Sequence, residues 1–73
     1  MSKVITNNIR RLRFDHNEMT QQVLAEKINV SRQTVVAIEK GKYSPSLEVA
    51  FKISDVFGVP LEQVFRYQGK DES

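Results

Sequence analysis

A link of three residues between two amphipathic segments places the strongest constraint on how this chain can fold. Apolar residues repeat at helical spacing in residues 21–28 and again in residues 32–40, and each segment follows a Thr or Ser of the kind that caps helices. Only Asn29-Val30-Ser31 separates them, and Asn29 suits a left-handed turn. So short a link forces the two predicted helices to cross sharply, and Ala25 is small where their backbones would approach.

Three more helices are predicted around this pair. Asn7 or Asn8 is the N-cap of a first helix over residues 8–16, and Pro60 opens a short fifth helix. Ser46 caps the fourth helix. Its wide apolar face comprises Leu47, Ala50, Phe51, Ile53, Ser54 and Phe57.

The two ends of the chain favour strand. Val4-Ile5-Thr6 and Phe65-Arg66-Tyr67 both alternate, and the two segments can pair into a small antiparallel ribbon. Residues 69–73 are interpreted as a flexible tail. The sequence thus predicts one all-α domain over residues 1–68, built from five helices with a two-stranded ribbon at its ends.

The composition limits the chemistry that the chain can perform. Its 73 residues include no cysteine, and 40% are hydrophobic and 27% charged, which favours a small globular domain without disulfides or thiolate metal sites. No apolar run approaches the roughly 20 residues of a membrane span and no signal peptide opens the chain, so we expect a cytoplasmic protein. His16 is interpreted as a solvated residue at a helix end. Because the serines lack a base at useful spacing, we expect no enzyme activity. Because this single histidine has neither a cysteine nor a carboxylate pair beside it, we expect no bound metal, and we expect no cofactor.

Charge is unevenly distributed along the chain. Residues 1–45 carry eight Lys/Arg and four Asp/Glu, whereas residues 46–73 carry three Lys/Arg and five Asp/Glu. A basic front half suggests that one face meets a polyanion. Chance asymmetry in a short chain is an equally good explanation, so charge alone does not decide between the two.

The third predicted helix divides into two faces at about 100° per residue. One face is mainly an apolar core stripe, and the other carries Arg32, Gln33, Val36, Ala37 and Lys40. Arg can pair with guanine and Gln with adenine in the major groove of DNA, and a small apolar side chain can touch a thymine methyl. An ordinary solvated helix face has a similar composition. The sharp link to the preceding helix favours the DNA-reading interpretation.

The run TQQVLAEKINVSRQTVVAIEKGKYSPS resembles the helix-turn-helix of the XRE or Cro/C1-type repressor family, whose familiar members are the lambda and 434 repressors. The resemblance extends from Ile9 to Phe65. The segments SRQTV, IEKGKY, PSL and PLEQVF are particularly similar to the small cytolysin-regulator subgroup. The resemblance implies a lambda-repressor-like five-helix domain that acts as a homodimeric repressor of transcription on a double-stranded DNA operator.

The resemblance and the helix-face chemistry together assign site residues. Base reading falls to Arg32, Gln33, Thr34, Val36 and Ala37. The residues predicted to contact phosphate are Thr20, Gln21, Ser31, Lys40, Lys42, Tyr43 and Ser44. Tyr43 has a second interpretation, in which its ring packs over the fourth helix. The resemblance also pairs Arg13 with Glu39 as a structural ion pair.

The last apolar cluster has two interpretations. Leu61, Val64, Phe65 and Tyr67 either close the core or leave a surface for a second copy of the chain. We expect the dimer, because the domain is small and has no staple or separate dimerisation region. A two-fold dimer would prefer a palindromic operator. The alternative function is an antitoxin or adaptor whose surface chiefly binds another protein, and we expect neither a membrane nor a small-molecule partner.

Overall fold

Five helices and a two-stranded ribbon form the computed structural model, which describes residues 3–69. The predicted all-α architecture with a terminal ribbon is confirmed. The elements are β1 (Lys3–Asn7), α1 (Ile9–Asp15), α2 (Gln21–Ile28), α3 (Arg32–Glu39), α4 (Leu47–Phe57), α5 (Leu61–Val64) and β2 (Phe65–Gly69). Among the described residues, the longest helix has 11 residues, and none is long and apolar enough to cross a membrane.

Hydroxyl side chains begin three of the helices, as their spacing predicts. The side-chain oxygens of Thr20, Ser31 and Ser46 each accept a hydrogen bond from the backbone N–H three residues on, at 3.0, 3.1 and 3.2 Å. Each bond satisfies an amide that has no partner within its own helix. Helix α1 begins differently: Asn8 at the N-cap makes no side-chain capping bond, and Asn7 Oδ1 accepts from the first amide of α1 at 3.1 Å.

Left-handed residues end the same three helices. Asn29, Gly41 and Gly58 have φ of 61°, 74° and 66°, so the predicted left-handed turn at Asn29 is confirmed. At each of them the residue's own N–H bonds the carbonyl three residues back, and the next N–H bonds the carbonyl five residues back. This pair of hydrogen bonds satisfies backbone carbonyls that have no partner within the helix, and it turns the chain abruptly.

The ribbon joins the two ends of the described chain. Strands β1 and β2 are antiparallel, with Ile5 opposite Tyr67 and Thr6 opposite Arg66. Gly69 is the last residue of β2, which corrects the prediction that the tail begins there. Residues 70–73 of the predicted tail lie outside the described part of the chain.

The hydrophobic core covers only part of the apolar face of α4. Its buried members are Ile9, Leu24, Ala25, Ile28, Val35, Ile38, Ile53, Phe57 and Val64. Leu47 and Phe51, which belong to the predicted apolar face, are 73% and 55% exposed. At about 100° per residue they lie roughly a quarter turn or more from the centre of the buried stripe. The apolar arc of α4 is therefore too wide for the core to cover.

His16 is not the solvated residue that the sequence suggests. It is half-buried, and its Nδ1 donates a hydrogen bond to the Leu12 carbonyl oxygen at 2.8 Å. Its ring lies 5.1 Å from that of Phe57, centroid to centroid. The imidazole thus packs the end of α1 against α4, because both its polar and its apolar surfaces find partners within the domain.

A largely buried ion pair ties α1 to α3. Arg13 Nε and Nη2 donate to the two carboxylate oxygens of Glu39 at 2.6 and 3.1 Å, and the two side chains are only 14% and 9% exposed. The structure thus brings together the two residues that the resemblance pairs. Two parallel bonds between a guanidinium and a carboxylate fix orientation as well as distance.

The same arginine closes the connector between α1 and α2. Asn17 and Glu18 both adopt left-handed backbone conformations, with φ of 60° and 53°, which non-glycine residues adopt at a cost. Met19 N–H donates to the Arg13 carbonyl at 2.9 Å, and Arg13 Nη1 donates to the Met19 carbonyl at 2.7 Å. The backbone and the side chain of Arg13 therefore both hold this strained turn.

Arg13→Ala should lower the free energy of unfolding by about 3–5 kcal/mol, because the largely buried Glu39 carboxylate would lose its charge partner. Arg11→Ala is the matched control: Arg11 lies on the same helix and approaches Asp15 only to 4.0 Å on the surface. Exposed pairs contribute about 0–1 kcal/mol. Urea denaturation followed by circular dichroism measures both losses, and equal losses would contradict the structural role of the buried pair.

Candidate nucleic-acid interface

The turn between α2 and α3 sets the geometry of the candidate site. Asn29 reverses the chain in the left-handed conformation, Val30 packs against the core, and Ser31 caps α3. Ala25 is fully buried in the core cluster, as expected of a small residue between two crossing helices. The three-residue link therefore holds α3 across α2 and leaves the far side of α3 at the surface.

That far side of α3 carries the predicted base-reading residues. Arg32 and Gln33 are exposed and Val36 and Ala37 are half-buried, whereas the opposite side of the helix lies in the core. The arrangement presents two long hydrogen-bonding side chains beside slim apolar ones. Such a face has the donors and the low profile needed to enter a major groove.

Thr34 differs from the other predicted base-reading residues. Its hydroxyl lies 2.9 Å from the hydroxyl of Ser31, whose oxygen also accepts the backbone N–H of Thr34. Thr34 is half-buried, and Ser31 is exposed. The two side chains are thus engaged with each other at the start of α3, and either would reach DNA from within this cap.

The N-terminus of α2 offers donors to an anion. Thr20 is exposed, and because its oxygen accepts the capping bond, its hydroxyl proton is free to be donated. Gln21 is half-buried, and its Nε2 donates to Glu39 Oε1 at 3.2 Å, which leaves one further amide proton. Together with the free amides and the positive dipole end of the helix, these groups suit a phosphate.

The loop after α3 continues the polar surface. Lys40, Lys42 and Ser44 are exposed, and Tyr43 is 53% exposed. The Tyr43 side chain also borders a small hollow whose other walls include Ile5 and Phe65. It therefore packs partly beside the ribbon while it presents more than half of its surface to solvent.

These elements meet in a concave surface between α1, the start of α2 and α3. We call this the basic concavity, and its lining residues are Arg10, Arg13, Glu18, Met19, Thr20, Gln21, Arg32, Val36, Glu39 and Lys40. Arg13 and Glu39 neutralise each other there. The other lining charges are three cations against one acid, so the surface attracts anions.

Asn7 is a positioning residue that the sequence assigned only to helix capping. Its Nδ2 donates to the Ile38 carbonyl at 3.0 Å and lies 3.5 Å from the Glu39 carbonyl. Because those carbonyls end α3, Asn7 anchors the C-terminal end of α3 to β1. No local pattern reveals this contact, since 31 residues separate Asn7 from Ile38.

Comparisons with known proteins identify the fold that this geometry belongs to. A family model described as helix-turn-helix matches residues 9–64. The chain is 55% identical over 62 residues to an HTH-type transcriptional regulator of Methanocaldococcus jannaschii, with 85% of this chain and 92% of that protein covered. The chain belongs to the helix-turn-helix family.

Two further comparisons concern a repressor of similar sequence and a solved structure of the same fold. The transcriptional repressor RstR of the cryptic phage CTXphi of Vibrio cholerae is 34% identical over 61 residues, which cover 84% of this helix-turn-helix chain and 54% of RstR. A crystal structure of a protein from Bacteroides fragilis has the same fold, with a TM-score of 0.73 and 24% identity. The structural alignment covers 86% of this chain and 100% of the Bacteroides fragilis chain. The relatives are named as regulators, in agreement with the prediction that the chain is not an enzyme.

The helix-turn-helix link should depend on the conformation of Asn29. Asn29→Val should be less stable than Asn29→Gly by about 1–2 kcal/mol, because a side chain with a branched β-carbon opposes the left-handed backbone and glycine does not. Thermal and urea unfolding of the two variants measure this difference. Equal stability would show that the turn does not require a left-handed residue at this position.

Proposed function

We propose that this chain is a sequence-specific DNA-binding repressor of transcription that acts as a homodimer on a palindromic operator. The observation that carries the proposal is the outward face of α3, where Arg32 and Gln33 stand exposed beside the slimmer Val36 and Ala37. The helix-turn-helix family assignment supports DNA as the partner. The repressor function of RstR, a relative with 34% identity, supports repression.

Recognition follows from the chemistry of this face. Helix α3 enters the major groove, where the Arg32 guanidinium donates two hydrogen bonds to the O6 and N7 of a guanine. The Gln33 amide pairs with the N6 and N7 of an adenine, and Val36 or Ala37 contacts a thymine methyl. Thr34 contacts a base from the edge of this face, where its hydroxyl is hydrogen-bonded to that of Ser31.

Phosphate contacts set the register of α3 in the groove. Thr20 and Gln21 bind one phosphate with the free amides of α2. Lys40, Lys42, Tyr43 and Ser44 contact the backbone beyond the C-terminal end of α3, and Ser31 contacts it at the start. These contacts position the protein, whereas the α3 side chains choose the sequence.

The second copy of the chain docks on an apolar groove at the ribbon end. The apolar part of its lining comprises Ile5, Pro45, Leu47, Ala50, Leu61, Phe65 and Tyr67. Three of the four residues predicted for the dimer contact line this groove; Val64 is fully buried in the core, which leaves its side chain no surface to offer. The apolar surface that the core leaves uncovered supports an interface.

The position of this groove suits a DNA-binding dimer. No residue of α3 lines it in the described chain, so dimerisation leaves both reading faces free. A two-fold dimer would place the reading helices about 34 Å apart, one turn of DNA, and so select a palindrome. Occupancy of a promoter by this dimer in the cytoplasm blocks transcription.

Selection from a random duplex library should return a palindrome, and the side chains of α3 should account for its sequence. Arg32→Ala and Gln33→Ala should each lose about 1–3 kcal/mol of affinity on the selected operator and little on random DNA, because they remove base contacts. Lys42→Ala is the matched control and should weaken both DNAs alike, since phosphates carry no sequence. Fluorescence anisotropy measures the affinities; equal losses of Arg32→Ala on both DNAs would contradict base reading.

The dimer interface should depend on Leu47. Leu47→Glu should yield monomers at concentrations where the wild type is dimeric, because it places a charge in the apolar groove. Phe14→Glu is the matched control: Phe14 is 68% exposed, against 73% for Leu47, and lies on α1 outside the groove. Size-exclusion chromatography with light scattering gives the masses. A monomeric wild type would contradict the homodimer and favour an antitoxin or adaptor that docks a different protein.

A further inference from the structure

We propose that Arg10 of α1 is an additional phosphate-binding residue, so that the DNA contact extends from the helix-turn-helix onto the first helix. This inference rests on the proposed function and adds a residue to it. From the sequence, Arg10 entered only the charge balance, because the short first helix lies outside the helix-turn-helix. The tertiary structure places it at the candidate DNA surface.

The position of Arg10 is the first argument. Its side chain is exposed and lines the basic concavity together with Gln21 of α2 and Arg32 and Lys40 of α3. Phosphates form the walls of the groove that α3 would enter, so a DNA strand beside α3 runs along this concavity. Arg10 therefore borders the path of the strand that meets the N-terminus of α2.

Electrostatics provide the second argument. Arg13, in the same concavity, is neutralised by its two bonds to Glu39. Within the described residues, Arg10 has no carboxylate within 4.0 Å, whereas the adjacent Arg11 lies at that distance from Asp15. Arg10 thus contributes an uncompensated positive charge, which an approaching phosphate can use without breaking an existing pair.

The rigidity of α1 provides the third argument. Arg13 ties α1 to α3 through two hydrogen bonds, and Asn7 ties the chain just before α1 to the end of α3 through a third. Arg10 lies between these two anchors, one helical turn before Arg13. Its backbone is therefore held at a set position relative to the reading face, and only the side chain must be ordered when it binds.

Arg11 offers a matched control on the same helix. Its side chain is 83% exposed, so removal of its charge disturbs the fold as little as removal of the Arg10 charge. It does not line the basic concavity. It borders one hollow with Gln63 and Arg66, and it shares a second one with Arg10 and Glu39. Arg10→Gln and Arg11→Gln carry the same change in net charge, so any difference between them reports position.

Salt-dependent binding of a fluorescein-labelled duplex tests the inference. Each phosphate contact adds about 0.9 to the slope of log K against log salt and about eightfold in affinity at 0.1 M salt. Arg10→Gln should reduce the magnitude of this slope by about 0.9 for each copy of the chain on the DNA. It should weaken binding to random and to selected duplexes alike. Arg11→Gln should keep the wild-type slope, and Arg10→Lys should restore most of it because the charge returns.

The outcomes separate this inference from the proposed function. A wild type that binds no duplex at low salt would overturn both. A wild type that binds, with Arg10→Gln and Arg11→Gln at the same slope, would overturn the role of Arg10 and leave the helix-turn-helix function intact. Unfolding midpoints of both variants equal to the wild type, together with a slope loss in Arg10→Gln alone, would establish the contact.

Discussion

The basic concavity depends on the carboxylate of Glu39. This carboxylate accepts two bonds from Arg13 of α1 and one from Gln21 of α2, and it is itself part of α3. One side chain therefore sets the relative positions of three helices. Because the pair is largely buried, its partners have little water to compete with them, and loss of one partner would leave a charge without compensation. The proposed reading face on α3, the proposed phosphate site at the start of α2, and Arg10 all take their positions from it.

The turn chemistry supports this arrangement from the other side. Asn29, Gly41 and Gly58 end three successive helices with the same pair of backbone bonds, and hydroxyl caps begin the same helices. Such sharp ends allow helices of 8–11 residues to pack around a small core. The cost of that small core is an apolar arc on α4 wider than it can cover, and the proposed dimer uses this remainder.

Sequence reasoning succeeded for features encoded within a few residues. The caps at Thr20, Ser31 and Ser46, the left-handed Asn29 and the two faces of α3 all follow from local spacing and residue type. It failed where burial depends on distant partners. The pattern of apolar residues did not show that Phe51 on the apolar face of α4 is 55% exposed. His16 was assigned to solvent, although it contacts the ring of Phe57 and the Leu12 carbonyl. No residue close to Asn7 in the sequence indicates that its side-chain amide binds a carbonyl at the end of α3.

The sequence by itself determined the helices, the turn that crosses two of them, and the side chains that α3 presents, because each depends on backbone preferences and on the helical repeat. Only the tertiary structure decided which arginines are paired with a carboxylate and which are not. Arg10, Arg11 and Arg13 are equivalent in composition, yet one borders the reading helix without an acid, one meets Asp15 at the surface, and one is buried on Glu39. That distinction arises from contacts between helices, since a carboxylate 26 residues away neutralises Arg13 and leaves Arg10 to the solvent.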